Sequence, residues 1–213
     1  LRPRVDPRTT DDPDLPRVLI VGDSISINYF DALKKLLEGV ANVHRIDGNG
    51  GPSDRGVACM ELWLGDYTQP GLGWDVIQFN HGLHDLKQLY DEDTKTYGKH
   101  QITIDQYKQN LAKEIAIMKR TGATLMWCDT TPVPSSSVGV WGGVKMGRRH
   151  GEEKVFNAAA RAVFEEHPDI LINELGEAVT RDEPFEKWWD GTDVHFWDGR
   201  QQQVVGRYVA EQI

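Results

Sequence analysis

Short apolar runs alternate with amphipathic stretches along most of the chain. Five short segments are expected to be strands, at residues 18–21, 43–46, 74–79, 123–128 and 170–172. Between them, apolar residues recur every third or fourth position, the spacing of one helix face, as in Tyr107, Leu111, Ile115 and Met118. Strands that alternate with helices in this way predict a parallel sheet covered by helices on both faces, an α/β fold of three layers.

Two segments lack this alternation. Residues 1–16 contain four prolines and many charges without an apolar period, so we expect an N-terminal surface arm, followed by a single domain over residues 17–213. Residues 130–150 are rich in Gly, Ser and Pro and are expected to form a long connection. Connections of this length are often binding loops, so we expect this one to border a functional site.

Charge and cysteine content exclude several classes of partner. The chain has 33 acidic and 24 basic residues, a net charge of -9, which argues against a nucleic-acid partner. No apolar run has the length of a membrane-spanning helix, so no membrane partner is expected. Cys59 and Cys128 are too few for a disulfide framework or a four-ligand zinc site. The chain starts at Leu1 rather than Met, which favours a processed N-terminus and a periplasmic or secreted protein.

Candidate chemistry follows the predicted strands. Gly22-Asp23-Ser24 directly follows the first strand, and His195 lies near the other end of the chain. The carboxyl ends of parallel strands form the crevice in which such folds bind ligands, so a base near the last helix can reach a serine after the first strand. The plainer alternatives are that Ser24 only caps the following helix and that His195 is a half-buried structural histidine.

Four segments of the chain resemble the ordered sequence blocks of the SGNH, or GDSL-type, hydrolase superfamily. They are Gly22-Asp23-Ser24, Asn49-Gly50-Gly51, Gly82-Leu83-His84-Asp85 and Asp193-Val194-His195. The resemblance implies a flavodoxin-like α/β/α sandwich with a five-stranded parallel sheet. It also implies a hydrolase that needs no cofactor and no metal.

The resemblance assigns roles to individual residues. Ser24 is expected to be the nucleophile and His195 the base. The oxyanion would be held by the amide of Ser24, by the amide of Gly51 or Gly50, and by a third donor. Where the family has asparagine this chain has His84, which can donate from a ring nitrogen; Asn80 at the same strand end is the alternative.

The acid that orients the histidine is a second departure from the family pattern. The family places it three residues before the histidine, where this chain has Thr192. Asp193 and Asp190 are the available carboxylates, and either can fix the imidazole tautomer if the loop bends suitably. We assign the role to Asp193.

Substrate contacts are expected from the long loop and from the basic residues beside it. Trp141 lies on the long loop between glycines and suits a sugar ring. Arg148 and Arg149 suit an anionic group, although a solvated surface is the plainer interpretation of this basic cluster. A metal bound by His81, His84, Asp85 and His195 is an alternative that lacks the spacing of the common zinc motif. Asp85 is otherwise expected to shape its own turn.

The resemblance implies a serine esterase that removes an acetyl or other short acyl group, and together with the aromatic loops it makes a carbohydrate the expected substrate. Its substrate would be an acylated small molecule or glycan. The alternatives are a glycan-active hydrolase that uses Asp193 and another carboxylate on a glycosidic bond, and a carbohydrate-binding module that has lost full catalytic competence.

Overall fold

The computed structural model describes residues 10–181 and 193–213 and contains two sheets. The main sheet has five strands: β1 (Arg17–Val21), β2 (Asn42–Arg45), β3 (Val76–Phe79), β6 (Thr124–Cys128) and β9 (Leu171–Asn173). All are parallel, in the order β2-β1-β3-β6-β9. If these five strands are counted alone, this is the flavodoxin-like order 2-1-3-4-5.

Within residues 10–181 and 193–213, six α-helices connect or follow the strands: α1 (Ser24–Leu36), α2 (Ser53–Leu64), α3 (Ile104–Met118), α4 (Glu153–Phe164), α5 (Leu175–Arg181) and α6 (Gly199–Ala210). Helix α6 packs against α1 and α5, while α3 packs against both α2 and α4. The two groups of helices enclose the sheet, which gives the α/β/α sandwich that the sequence predicted.

The five predicted strands are all present, within two residues of the expected boundaries. The interior strand β1 is buried at every position, because helices cover both faces of the sheet. Local capping residues fix where two of the helices begin. Asp23 caps α1 by accepting from the amide of Ile25, and Asp198 and Gln201 form a capping box at the start of α6.

A second, antiparallel sheet was not predicted. It has the order β5-β4-β8-β7, with β4 (Gln88–Asp91), β5 (Thr96–His100), β7 (Ser137–Trp141) and β8 (Val144–Arg148). The expected long connection at 130–150 therefore contains a hairpin. Its two-residue turn, Gly142-Gly143, has positive φ angles of 58° and 80°, which the type I′ turn of a tight hairpin requires.

The N-terminal residues that the structure describes lie along the amino end of the main sheet. The Asp11 carboxylate pairs with Arg17 of β1 and with His44 of β2, and Asn42 donates to the carbonyl oxygens of Asp12 and Leu15. Residues 1–9 of the expected arm lie outside the described residues, so the division into arm and domain remains a prediction. Among the described helices, none has both the length and the apolar character needed to cross a membrane.

Candidate active site

Ser24 lies at the point where β1 ends and α1 begins. Asp23, the N-cap residue, accepts a hydrogen bond from the Ile25 amide at 2.9 Å, and this bond starts the helix at Ser24. Within the described part of the chain the Ser24 amide donates to no acceptor, as is usual for the first amide of a helix. The hydroxyl and amide of Ser24 are therefore both available at a positively polarised helix end.

Arg45, at the end of β2, holds this turn in place. Its guanidinium donates to the carbonyl oxygens of Gly22 and Asp23 at 3.1 and 3.2 Å, and to the Ser26 hydroxyl at 2.8 Å. Although burial lowers the pKa of Arg45, arginine remains charged in proteins. Sequence analysis missed this residue, yet a charged side chain within a segment expected to be a strand of the main sheet was a usable signal.

His195 connects the two ends of the chain. Its Nε2 lies 2.8 Å from Ser24 Oγ, and its Nδ1 lies 3.0 Å from both carboxylate oxygens of Asp193. The structure thus brings the three expected catalytic residues into one hydrogen-bonded chain. An acceptor on Nδ1 favours the tautomer with its proton there, so that Nε2 can accept from the serine hydroxyl.

Asp193 has two further donors. The Val194 amide donates to Oδ1 at 2.6 Å and the Trp197 indole to Oδ2 at 3.0 Å. Partial burial acts to raise the pKa of Asp193, but the hydrogen bonds from His195 and Trp197 outweigh it and lower the pKa below its usual value. Asp193 is therefore ionised at neutral pH. The alternative acid, Asp190, and Thr192 at the family position lie outside the described residues.

The loop after β2 places its glycines beside Ser24 but uses both amides internally. The Gly50 amide donates to the Gly22 carbonyl at 3.0 Å, and the Gly51 amide donates to Asn49 Oδ1 at 2.8 Å. A Cβ at position 50 would come within 2.8 Å of the Gly22 carbonyl oxygen, so glycine is required there. Gly51 faces only a side-chain acceptor, which can move, so it is the better placed of the two to reach a ligand.

A buried polar cluster contacts the loop after β2. His81 Nδ1 lies 2.9 Å from the Gly51 carbonyl, and His81 Nε2 lies 3.4 Å from Glu114 of α3. Asp85 Oδ1 accepts from the amide and hydroxyl of Ser53, the first residue of α2. Asp85 thus anchors a neighbouring helix. Burial raises the pKa of Asp85 to about 7 and that of Glu114 well above its usual range.

The two expected candidates for the third oxyanion donor have different surroundings. Asn80 Nδ2 donates to the Cys128 carbonyl at 2.7 Å and lies 3.4 Å from the Thr130 hydroxyl, so its amide binds the end of β6. His84 has one bonded nitrogen: its Nδ1 lies 3.1 Å from Lys87 Nζ. No hydrogen bond to His84 Nε2 occurs among the residues that the structure describes. His84 therefore keeps one ring nitrogen available to a ligand, whereas the side-chain nitrogen of Asn80 is already used in hydrogen bonds.

The second sheet adds basic and aromatic side chains next to His84. Trp141 lies with its ring centre 4.5 Å from Lys87 Nζ and 5.2 Å from the guanidinium carbon of Arg148. Arg148 is buried and donates from Nε to the Leu83 carbonyl at 2.8 Å, whereas Arg149 is exposed. The two arginines thus have different environments, and Lys87, which sequence analysis missed, belongs to this cluster.

The alternative of a metal site finds no geometric support in residues 10–181 and 193–213. No group of three His, Cys, Asp or Glu side chains in that part of the chain converges to hold an ion. His81 faces Gly51 and Glu114, His84 faces Lys87, and His195 faces Ser24 and Asp193.

Comparison with known proteins gives matches only at the level of structure. No family model matches the chain, and no curated protein sequence matches it. A lipase/acylhydrolase from Enterococcus faecalis superposes with a TM-score of 0.65 at 16% identity, over 93% of this chain and 95% of that one.

Two further solved structures cover the chain equally well. The acetyl xylan esterase AlAXEase has a TM-score of 0.65 at 12% identity, over 92% of this chain and 99% of its own. The esterase EstA from Pseudoalteromonas sp. has a TM-score of 0.60 at 11% identity, over 92% and 95%. At such low sequence identity these superpositions establish the fold alone, and the activity has to be argued from the residues of the site. The chain has the fold of the SGNH, or GDSL-type, hydrolase superfamily.

Proposed function

We propose that this protein is a serine esterase that removes an acetyl or other short acyl group by way of an acyl-enzyme. The observation that carries the proposal is the hydrogen-bonded chain from Ser24 Oγ through His195 to Asp193, with distances of 2.8 and 3.0 Å. A nucleophile bonded to a base, with the base oriented by a third group, is the arrangement that activates a serine.

In the acylation step Ser24 Oγ attacks the ester carbonyl and its proton moves to His195 Nε2. The imidazolium that forms is stabilised by Asp193, which accepts from Nδ1–H and stays ionised. His195 then gives the proton to the departing alcohol oxygen. In the second step His195 takes a proton from water, and the oxygen of that water attacks the acyl carbonyl. His195 then returns the proton to Ser24 Oγ as the bond from the acyl carbon to this oxygen breaks, which releases the carboxylic acid and restores the enzyme.

The oxyanion of the tetrahedral intermediate needs donors that are already in position. Two donors without an acceptor in the described structure are the Ser24 amide and His84 Nε2, when that nitrogen carries a proton. The Gly51 amide becomes a third donor when the oxyanion replaces Asn49 Oδ1. Pre-positioned donors of this kind contribute about 10²–10³-fold each to kcat.

The glycosidase alternative is less well supported. A carboxylate that attacks or activates water at a sugar carbon must face the substrate. Asp193 instead accepts from His195, Trp197 and Val194, so its oxygens are already committed. No observation favours the binding-module alternative. Ser24 and His195 are joined by the hydrogen bond that a catalytic pair needs.

A carbohydrate acceptor is proposed from the aromatic rim of the site. The Trp197 side chain is 63% exposed, and its ring centre lies 4.6 Å from that of His195. Trp141 presents a second indole beside Lys87 and Arg148. Indole faces suit the apolar faces of sugar rings. One structural neighbour is an acetyl xylan esterase, which supports acetylated sugars as the first substrates to examine.

Hydrolysis of a short-chain aryl acetate by the wild type and by Ser24→Ala tests the activity. The proposal expects turnover by the wild type and loss of at least a thousandfold in the variant, together with phosphonate labelling of Ser24 only in the wild type. Equal turnover in both proteins, or none in either, would contradict a serine esterase. Acetylated and deacetylated oligosaccharides then test the carbohydrate part.

A further inference from the structure

We propose that Lys87 is a positioning residue that keeps His84 in the neutral tautomer with its proton on Nε2, so that Nε2–H is available as an oxyanion donor. The catalytic consequence rests on the proposed esterase function. The tautomer itself does not, because it follows from the contact between the two side chains.

The first step of the argument is the direction of one hydrogen bond. Lys87 Nζ lies 3.1 Å from His84 Nδ1. An ammonium group has three hydrogens and no lone pair, so it can only donate, and Nδ1 must accept. A neutral imidazole that accepts at Nδ1 carries its proton at Nε2. The contact therefore excludes the Nδ1–H tautomer for as long as Lys87 is charged.

The second step is the charge state of both groups. Burial, followed by the nearby cations Lys87 and Arg148, lowers the pKa of His84 to about 3, so the ring is neutral at neutral pH. Burial and Arg148 also lower the pKa of Lys87, but only to about 8, so most of the Lys87 population is protonated at pH 7. His81 and His195 lower the pKa of His84 further.

The third step is that Lys87 is fixed in this position. It is 2% exposed, its Nζ lies 4.5 Å from the Trp141 ring centre, and no carboxylate of the described residues lies within ion-pair distance of it. A buried ammonium without an ionic partner is costly, so its contacts with an indole face and an imidazole nitrogen decide where it lies. The i,i+3 spacing within the turn before β4 places both side chains together.

The contact between Lys87 and His84 compensates for a chemical difference between histidine and asparagine. An asparagine carboxamide always presents two N–H donors, whereas a neutral histidine presents its single donor at either nitrogen. A histidine at the family's asparagine position therefore needs a second residue to fix its proton. In this structure that residue is Lys87, whose ammonium group contacts both His84 and the indole of Trp141 in the second sheet.

The tautomer is measured directly by ¹⁵N NMR of histidine-labelled protein at pH 6.5. The wild type is expected to show His84 with an unprotonated Nδ1 and a protonated Nε2, and Lys87→Met to show a mixture or a reversal. Lys145→Met, which removes an exposed lysine of β8, is the matched control and should leave His84 unchanged. A wild-type spectrum with the proton on Nδ1, or an unchanged tautomer in Lys87→Met, would overturn the proposal.

Kinetics on an aryl acetate test the consequence. Lys87→Met is expected to lower kcat about ten- to hundredfold with little change in KM, because part of one oxyanion donor is lost. In a His84→Asn background the same substitution should change kcat less than about twofold, since a carboxamide needs no fixed tautomer. An equal loss in both backgrounds would mean that Lys87 has a merely structural role. If neither background nor wild type hydrolyses esters, the proposed function fails while the NMR result still decides the tautomer.

Discussion

Substitution of Asp193 by asparagine should disable the histidine without removing its partner. Both carboxylate oxygens lie 3.0 Å from His195 Nδ1, so an asparagine places its NH₂ group beside that nitrogen in either orientation. The NH₂ group would also face a donor in either orientation, the Val194 amide or the Trp197 indole. Donation to Nδ1 would move the ring proton to Nε2, which could no longer accept from Ser24.

The expected size of this effect follows from the role of the tautomer. When the wrong tautomer predominates, a serine hydrolase loses about 10⁴-fold in kcat. This corresponds to about 5 kcal/mol of transition-state stabilisation, at 1.36 kcal/mol per tenfold change. Binding of substrate does not use the proton, so KM should change little.

The assay compares kcat for an aryl acetate in the wild type, Asp193→Asn and Asp190→Asn between pH 6 and 9, with thermal unfolding as a check on folding. Asp190→Asn is the matched control and should stay within about threefold of the wild type. A loss confined to Asp190→Asn, or an Asp193→Asn enzyme within tenfold of the wild type, would refute the assignment of the acid.

Three further predictions concern the supports of the site. Arg45→Met should lower the free energy of unfolding by about 3 kcal/mol, measured by urea denaturation, because it leaves buried carbonyl oxygens without donors. An unchanged urea midpoint would contradict the stabilising role of the Arg45 hydrogen bonds. Asp85 has a folded pKa of about 7, above its value of about 3.9 in an unfolded chain, so folding takes up a proton between these values. The wild type should therefore gain stability relative to Asp85→Asn as the pH falls from 7 to 4, and parallel pH curves would count against this. Gly56→Ala should cost about 2–4 kcal/mol, since its Cβ would collide with two buried side chains, whereas Gly199→Ala has open space and should be neutral; equal stability of the two variants would disprove the close approach.

The main sheet was readable from the sequence because its signal is local. Buried parallel strands are short apolar runs, and the helices that cover them repeat their apolar residues every three or four positions. The five strands therefore appeared close to their expected places. The small antiparallel sheet was missed because it is largely exposed: Leu89, Val138 and Val140 face solvent, so its apolar residues do not form a buried face. Its Gly142-Gly143 turn was the available signal.

The sequence by itself determined the architecture and the order of the site's segments. A serine after the first strand and a histidine before the last helix are both expected at the carboxyl edge of such a sheet, because strand direction and connection order place both segments there. This much depends on periodicity and on chain order, both of which are written in the sequence.

Only the tertiary structure decided which side chains meet within that edge. The pairing of His195 with Asp193, the contact of Lys87 with His84 and the bonds from Arg45 to the turn before Ser24 depend on ångström-scale distances between separate segments. A hydrogen bond is lost within about half an ångström or a modest rotation, a precision that residue spacing cannot supply. The donors and charges of this site are therefore set by packing, and its location by the sequence.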